Sequence, residues 1–247
     1  MEEYSLTGKT LLVVDDEIDL RDIVASELEF SGAKVFRAEN IINAERIIKE
    51  NKVDVVISDI RMPSGTGIEL LDHLKEHNVE IPPVILITGF ADISPEEAYD
   101  KGAEVLMSKP FKLDDLIKTV FRYSHPVDQR FNILDEPPTK ELTWKFNSSI
   151  QEQLNQSVLK IGRGGMSLVL DNLEKKLENL DVIKFNLSFK DIEIHGIGVC
   201  RWVKSSEFKQ TCLGIEFLFL DPTALNFFLS FWKDHRIIAF IPNGTLR

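Results

Sequence analysis

The sequence predicts an α/β domain with a parallel sheet wrapped by helices, followed by a small all-β domain, an antiparallel barrel closed by a helix. Three observations carry this. In the first half, four short apolar runs each end on a polar residue, with helical patterns between them. From about Glu141 the periodicity changes to strands separated by short turns. Between the two lies a polar stretch containing Pro126, Pro137 and Pro138. A chain of 247 residues is long enough for two such cores.

Taken in order, Thr10–Val14 (TLLVV) runs into Asp15 and Asp16, and Val53–Ser58 (VDVVIS) into Asp59. Val84–Ile87 (VILI) runs into Thr88, and Ala103–Ser108 (AEVLMS) into Lys109-Pro110-Phe111. A last helix is expected over Lys112–Tyr123, burying Leu113, Leu116, Ile117, Val120 and Phe121 at helical spacing. The first domain therefore spans 1–123 and a linker 124–140, in which Phe131, Ile133 and Leu134 suggest docking. The second domain spans 141–247. Its strands are expected at Leu142–Asn147, at Val158–Leu170 with a break at Gly162, Gly164 and Gly165, and then at Val182–Phe189, Ile192–Lys204 and Gln210–Leu220. A short polar helix is expected at Asp171–Leu180 and a longer one at Pro222–Arg236.

The ends of the first-half strands are where the chemistry gathers. Ligands of open parallel sheets bind in the crevice at the carboxyl ends of the strands. Asp15, Asp16, Asp59, Thr88 and Lys109 would converge there. Clustered carboxylates repel one another unless a hard cation sits among them, and magnesium suits oxygen donors while keeping several waters. A carboxylate beside a metal is a nucleophile for phosphorus. Lys109 and Thr88 would then hold phosphoryl oxygens by charge and by hydrogen bond. Taken singly, each feature has a plain reading. Asp-Asp after a strand is a turn or a helix cap, Lys-Pro ends a strand, and Arg61-Met62-Pro63 with Gly65 and Gly67 is a tight loop opening a helix. The conjunction of five positions points to the site.

At these residues the chain resembles a known family. Residues 9–122, through V-V-D-D-E, S-D-I-R-M-P-S-G-T-G, I-T-G-F-A-D and S-K-P-F in order, resemble the receiver domain of two-component response regulators. The resemblance implies a doubly wound (βα)5 fold with Asp59 as phospho-acceptor. It implies a magnesium ion held by Asp15, Asp16, Asp59 and the backbone carbonyl of Arg61. Thr88 and Lys109 would contact the phosphoryl group, and a cis Lys109–Pro110 peptide would aim Lys109 inward. Leu106 stands where the family has a Tyr or Phe rotamer switch, so the aromatic form of that switch is missing.

Composition limits the function classes. Hydrophobic residues make up 43% and mean hydropathy is -0.07, values of a soluble globular protein. No run is long enough to span a bilayer and the amino terminus lacks an export pattern, so a cytoplasmic location without membrane insertion is expected. Residues 1–124 carry 25 acidic and 14 basic side chains, whereas 125–247 carry 15 of each. A neutral second half argues against DNA, which needs a basic face. Cys200 and Cys212 lie on consecutive strands and could face each other across a hairpin, though two buried free thiols are the expected state in a reducing compartment.

The second half, over roughly residues 140–236, resembles the PilZ domain, a bacterial receptor for cyclic diguanylate. The carriers are I-G-R-G-G-M-S-L, L-E-N-L-D-V-I-K-F and I-H-G-I-G-V-C-R-W-V followed by L-G-I-E-F-L-F-L-D. The family holds its nucleotide with R-x-x-x-R before the barrel and D/N-x-S-x-x-G on an early strand. Here Arg130 stands alone before the barrel, and the second motif reads Lys160, Ile161, Gly162, Arg163, Gly164, Gly165. Lys160 replaces the acid and Gly162 the serine; only Gly165 survives. The expectation is a degenerate domain without high-affinity cyclic diguanylate binding. Lys160, Arg163 and Arg201 are either solvated charges or a different anion site. On the last helix, Leu225, Phe228, Leu229 and Trp232 form one apolar stripe and Phe227 and Phe231 a second. The second stripe packs within the chain or meets a partner, a second copy of the chain included.

The leading expectation is a response regulator, not an enzyme beyond its own phosphorylation and dephosphorylation. A sensor histidine kinase or phosphotransfer protein would phosphorylate Asp59, and the output would act on a downstream protein partner. The alternative is a receptor that binds cyclic diguanylate, or another nucleotide, through a non-standard site in the barrel.

Overall fold

The computed structural model describes residues 4–77, 82–89, 93–131, 137–173, 176–206 and 209–244. The chain divides into two compact units, 1–94 with 101–126, and 95–100 with 127–247.

In the first unit the elements run β1 (Thr10–Val14), α1 (Ile18–Phe30), β2 (Lys34–Ala38), α2 (Ile41–Glu50), β3 (Val55–Asp59), β4 (Arg61–Met62), β5 (Gly65–Thr66), α3 (Gly67–His77) and β6 (Val84–Thr88). The short helix α4 (Pro95–Asp100) follows, then β7 (Val105–Ser108) and α5 (Leu113–Tyr123). Five strands form one sheet in the order β2-β1-β3-β6-β7, and every pairing in it is parallel. The order reverses between β1 and β3, which opens a crevice at their carboxyl ends. β3 and β6 are buried along their whole length, as continuous apolar strands covered on both faces require. Asn40 caps α2 by accepting the Asn43 N–H. On α5 the buried residues are Leu116, Val120 and Tyr123. Leu113, Ile117 and Phe121, expected inside, are half-buried at the flanks of that face.

The second unit takes in α4 and continues with α6 (Val127–Arg130), β8 (Lys140–Lys145), α7 (Ile150–Asn155), β9 (Leu159–Ile161), β10 (Gly165–Asp171), β11 (Val182–Ser188), β12 (Glu193–Ser205), β13 (Gln210–Leu220) and α8 (Pro222–Asp234). Its six-stranded sheet has the order β8-β11-β12-β13-β10-β9. Four pairings are antiparallel, but β8 runs parallel to β11, a departure from the expected all-antiparallel arrangement. The helical turn α7 explains this. A capping box between Ser149 and Glu152 nucleates it after β8, so the chain leaves the sheet instead of turning back in a hairpin. Within this unit α4 is held by an ion pair of Glu96 with Lys204 at 3.1 Å and by the Tyr99 carbonyl, which accepts the Phe240 N–H at 2.8 Å.

Several other expectations are corrected. No helix forms over Asp171–Leu180 among the described residues: Asp171 ends β10, and Asn172 and Leu180 take positive φ, which breaks helical geometry. Cys200 and Cys212 do not face each other, because the register sets Cys200 opposite Ile215 and Cys212 opposite Lys204. In the linker Phe131 docks, 3% exposed and edge-on to Phe217, while Ile133 and Leu134 lie outside the described residues.

Helix α8, started by Asp221 accepting the Ala224 N–H and by Pro222 in its first turn, lays Phe228 against Phe217 at 4.6 Å. The buried line is Ala224–Phe228. The two apolar stripes are the flanks of one broad arc around it, and Phe227 and Phe231 are half-buried against the unit's own core. Ala224, which belongs to neither expected stripe, lies at the centre of the arc. Phe227 and Phe231 therefore do not form a free second face.

Candidate functional site

The crevice at the β1/β3 reversal collects the residues expected there. Asp15 follows β1, Asp59 ends β3, Thr88 ends β6 and Lys109 follows β7. Asp15, Asp59 and Thr88 are all buried, at 5%, 6% and 5% exposure. Lys109 Nζ stands 2.5 Å from Asp59 Oδ1 and 3.5 Å from Asp15 Oδ2, so one ammonium serves two carboxylates. The remaining oxygens are also engaged: Asp59 Oδ2 accepts the Arg61 N–H at 2.7 Å, and Asp15 Oδ1 accepts the Glu17 N–H at 2.8 Å. The Lys109 N–H donates to the Thr88 carbonyl at 2.7 Å, and the Lys109–Pro110 peptide is cis.

Burial is the largest influence on Asp15 and lifts its carboxyl above the ordinary value; the Asp59 charge adds to the rise, against the Glu17 N–H and Lys109. For Lys109, burial pulls the ammonium down. The hydrogen bond to Asp59 and the charges of Asp15 and Asp59 outweigh it, and the group is held above its ordinary value.

Asp16, next along the same strand end, is exposed. Among the described residues no three acidic, histidine or cysteine side chains enclose a cation by themselves. The donor set nevertheless fits a hard cation: two buried carboxylates share a single positive charge, and their oxygens are hard ligands. A metal that keeps much of its water shell needs few protein ligands. Leu106 is half-buried in β7, opposite Leu86 of β6.

Two residues not singled out in the sequence, Arg21 and Ser58, complete the site together with Gly67, expected only as part of a loop. Arg21 Nη1 donates to the Asp15 carbonyl at 2.7 Å, pinning the turn that carries both aspartates. Ser58 Oγ donates to the Asp59 carbonyl at 3.0 Å. A Cβ on Gly67 would collide with that same carbonyl, so α3 can begin this close only with glycine. Gly67 was visible in the sequence as part of a tight loop; its contact with Asp59 was not.

The candidate cations of the second unit do not form one anion site. Arg201 binds the buried Glu216 carboxylate, with Nε 2.5 Å from Oε2. Lys160 Nζ donates to the Asn243 carbonyl at 2.8 Å, and Arg163 Nε to the Ile238 carbonyl at 3.0 Å. Two exposed backbone carbonyls and one buried carboxylate have taken up these donors.

A doubly wound sheet with paired carboxylates and a lysine at its switch point defines the class of the first unit. Residues 11–121 match the response regulator receiver domain, and the N-terminal part of this chain is a receiver domain of the CheY-like kind. Over 128 residues it is 34% identical to the phosphate regulon transcriptional regulatory protein PhoB of Pseudomonas aeruginosa, covering 50% of this chain and 56% of PhoB. Over 113 residues it is 36% identical to the C4-dicarboxylate transport transcriptional regulatory protein DctD of the same organism, covering 45% of this chain and 24% of DctD. The chain thus spans about half the length of the first relative and about a quarter of the second. Among solved structures, the receiver domain of NtrX from Brucella abortus is 35% identical over 46% of this chain and 97% of that one, with a TM-score of 0.42.

Proposed function

We propose that Asp59 is the phospho-acceptor and that the second unit delivers the output through a protein partner. The observation that carries the first part is the Asp59 carboxylate, buried at the sheet's switch point and bound by Lys109 and the Arg61 N–H. An Asp59 oxygen forms a bond to the phosphorus of a phosphohistidine on a sensor kinase or phosphotransfer protein. The P–N bond breaks, and the departing imidazole keeps the electron pair and takes a proton from water. Lys109 moves its charge from the carboxylate to the arriving phosphoryl oxygens, and Thr88 supplies a hydroxyl donor. Asp15, Asp16, Asp59 and the Arg61 carbonyl would hold a magnesium ion, which offsets the repulsion between carboxylates and phosphoryl group.

For the second unit we favour a PilZ-like barrel without cyclic diguanylate binding. What supports this is the loss of the acid and hydroxyl at Lys160 and Gly162, together with the engagement of Lys160, Arg163 and Arg201 inside the unit. The relatives' names describe transcriptional regulators, but those matches extend over only 128 and 113 residues. The charge-neutral second half favours a protein surface over DNA as the target. Catalysis by the chain would be limited to gain and hydrolytic loss of the phosphoryl group at Asp59. Leu106 lacks an aromatic's surface, so the response must come from several small contact changes; a full switch needs about 5.5 kcal/mol of differential stabilisation.

The test is phosphorylation with a small phosphodonor and magnesium, followed by intact-mass measurement. One phosphoryl group is expected on the wild type and none on Asp59→Asn. Equal incorporation in both would remove the assignment.

A further inference from the structure

Beyond α8 the chain does not trail into solvent. Phe240, Ile241, Pro242 and Gly244 are buried, and the segment crosses the loop that joins β9 to β10. That loop meets it mainly with backbone. The Arg163 N–H donates to the Ala239 carbonyl at 2.9 Å and the Gly164 N–H to the Phe240 carbonyl at 3.0 Å. Arg163 Nε and Lys160 Nζ bind two more tail carbonyls, those of Ile238 and Asn243. Trp232 Nε1 steadies the loop by donating to the Gly162 carbonyl at 2.8 Å. The other edge of the segment is taken up by α4, described above.

The missing side chains of the loop make the room. A Cβ on Gly162 would strike the Phe240 carbonyl, and one on Gly164 would enter the Phe240 ring. One on Gly165, the first residue of β10, would strike the Ile215 carbonyl of β13 before meeting Ile241 Cγ1 at 2.8 Å. Gly162 and Gly164 thus form a slot for an aromatic residue, with Gly165 leaving room for its apolar neighbour, and four donors read carbonyls that any extended peptide presents. This is the division of labour in strand-like peptide recognition, with affinity from the main chain and specificity from a side-chain pocket. The segment is tethered through His235 and Arg236, both exposed, so it can leave without breaking the sheet.

We propose that Gly162–Gly165, with Lys160, Arg163 and Trp232, is a peptide-docking site whose resident ligand is the chain's own segment Ile238–Gly244. The partner of the second unit is then an extended peptide with the same aromatic-apolar-proline pattern, which docks by displacing the tail. This deepens the protein-partner reading of the output and rests on it. In cis the tail competes at an effective concentration on the order of millimolar, so a free peptide binds the intact chain weakly.

The experiment uses the full-length chain carrying Phe240→Ser and Ile241→Ser, which loosens the tail and leaves the slot whole. A fluorescent peptide with the native sequence of residues 237–244 is titrated into variant and wild type. The expected result is binding to the variant at least tenfold tighter than to wild type, and none by a peptide carrying Phe240→Ala. Equal affinity for both proteins, or no binding to a variant shown to be folded, overturns the proposal. Cyclic diguanylate titrated into the same variant separates the two readings. Nucleotide binding would overturn this proposal and the protein-partner reading together, whereas failure of both ligands overturns the docking site alone. Should the variant not fold, amide exchange in the wild type decides. The Arg163 and Gly164 amides are expected to exchange with the tail, ahead of the Phe217 amide, which binds the Gly164 carbonyl within the sheet. Exchange of all three only with global unfolding overturns it.

Discussion

Lys109 and Asp59 form an ion pair at 2.5 Å whose ammonium also lies 3.5 Å from Asp15, so two buried carboxylates share a single positive charge. Replacing it by Lys109→Met leaves both without that counter-charge. A buried acceptor stripped of its partner costs about 1–3 kcal/mol, and the partial exposure of Lys109 places the loss in the lower half of that range. Thermal melts with and without magnesium check this. The variant should melt lower than wild type without the metal and gain more from it, and an equal gain in both proteins would contradict the shared-cation account.

Asp15 supplies a pH dependence. Burial, first among the causes, lifts its carboxyl above the ordinary 3.8, so the folded state binds this proton more tightly than the unfolded chain does. Ionised Asp15 therefore opposes folding. The penalty is absent below pH 3.8, grows as pH rises through the lifted value, and is complete above it. Asp15→Asn should raise the melting temperature at neutral pH, lose that advantage in acid, and abolish magnesium-dependent phosphorylation. A melting temperature lowered at neutral pH would show that the carboxylate's partners outweigh its burial.

The two thiols should be chemically quiet. Burial, followed by the Asp181 charge, pushes Cys200 up to about 12; burial likewise pushes Cys212 up to about 11. Both are 0% exposed. Ellman's reagent at pH 8 should find no reactive thiol in the native protein and two after denaturation. Rapid native reaction of either would mean that the sheet opens locally.

Arg201 and Glu216 test the interior of the second unit. Glu216 is 1% exposed, and Arg201 binds it with Nε and Nη2 at 2.5 Å. Arg201→Met should destabilise the unit by about 2–4 kcal/mol, since the carboxylate left behind cannot reach water. Adding Glu216→Leu should recover much of the loss. Denaturant melts of the single and double variants give the coupling, and simple additivity would show that the pair does not act as a unit.

Four of the five sheet strands of the first unit were legible in sequence because each is an apolar run that leads to a reactive residue; β2, with Lys34 and Arg37 in it and only Ala38 buried, was not. The run Thr10–Val14 is β1 to the residue, and Val84–Ile87 falls one residue short of β6. Asp15, Asp59, Thr88 and Lys109 could be placed together because strand ends of a parallel sheet must lie on one edge. Their bridging by one ammonium, and the approach of Gly67 to the Asp59 carbonyl, depend on distances that no spacing rule contains. Local pattern is enough to tell which residues stand at four of the strand ends and that the second half is rich in strands. Tertiary structure alone decided the parallel course of β8, the centring of α8 on Ala224 and Phe228, and the course of the tail over Gly162–Gly165. The reason is common to all three. Each depends on which distant surface a segment meets, and Gly164 contacts Phe240 across a separation that periodicity does not record.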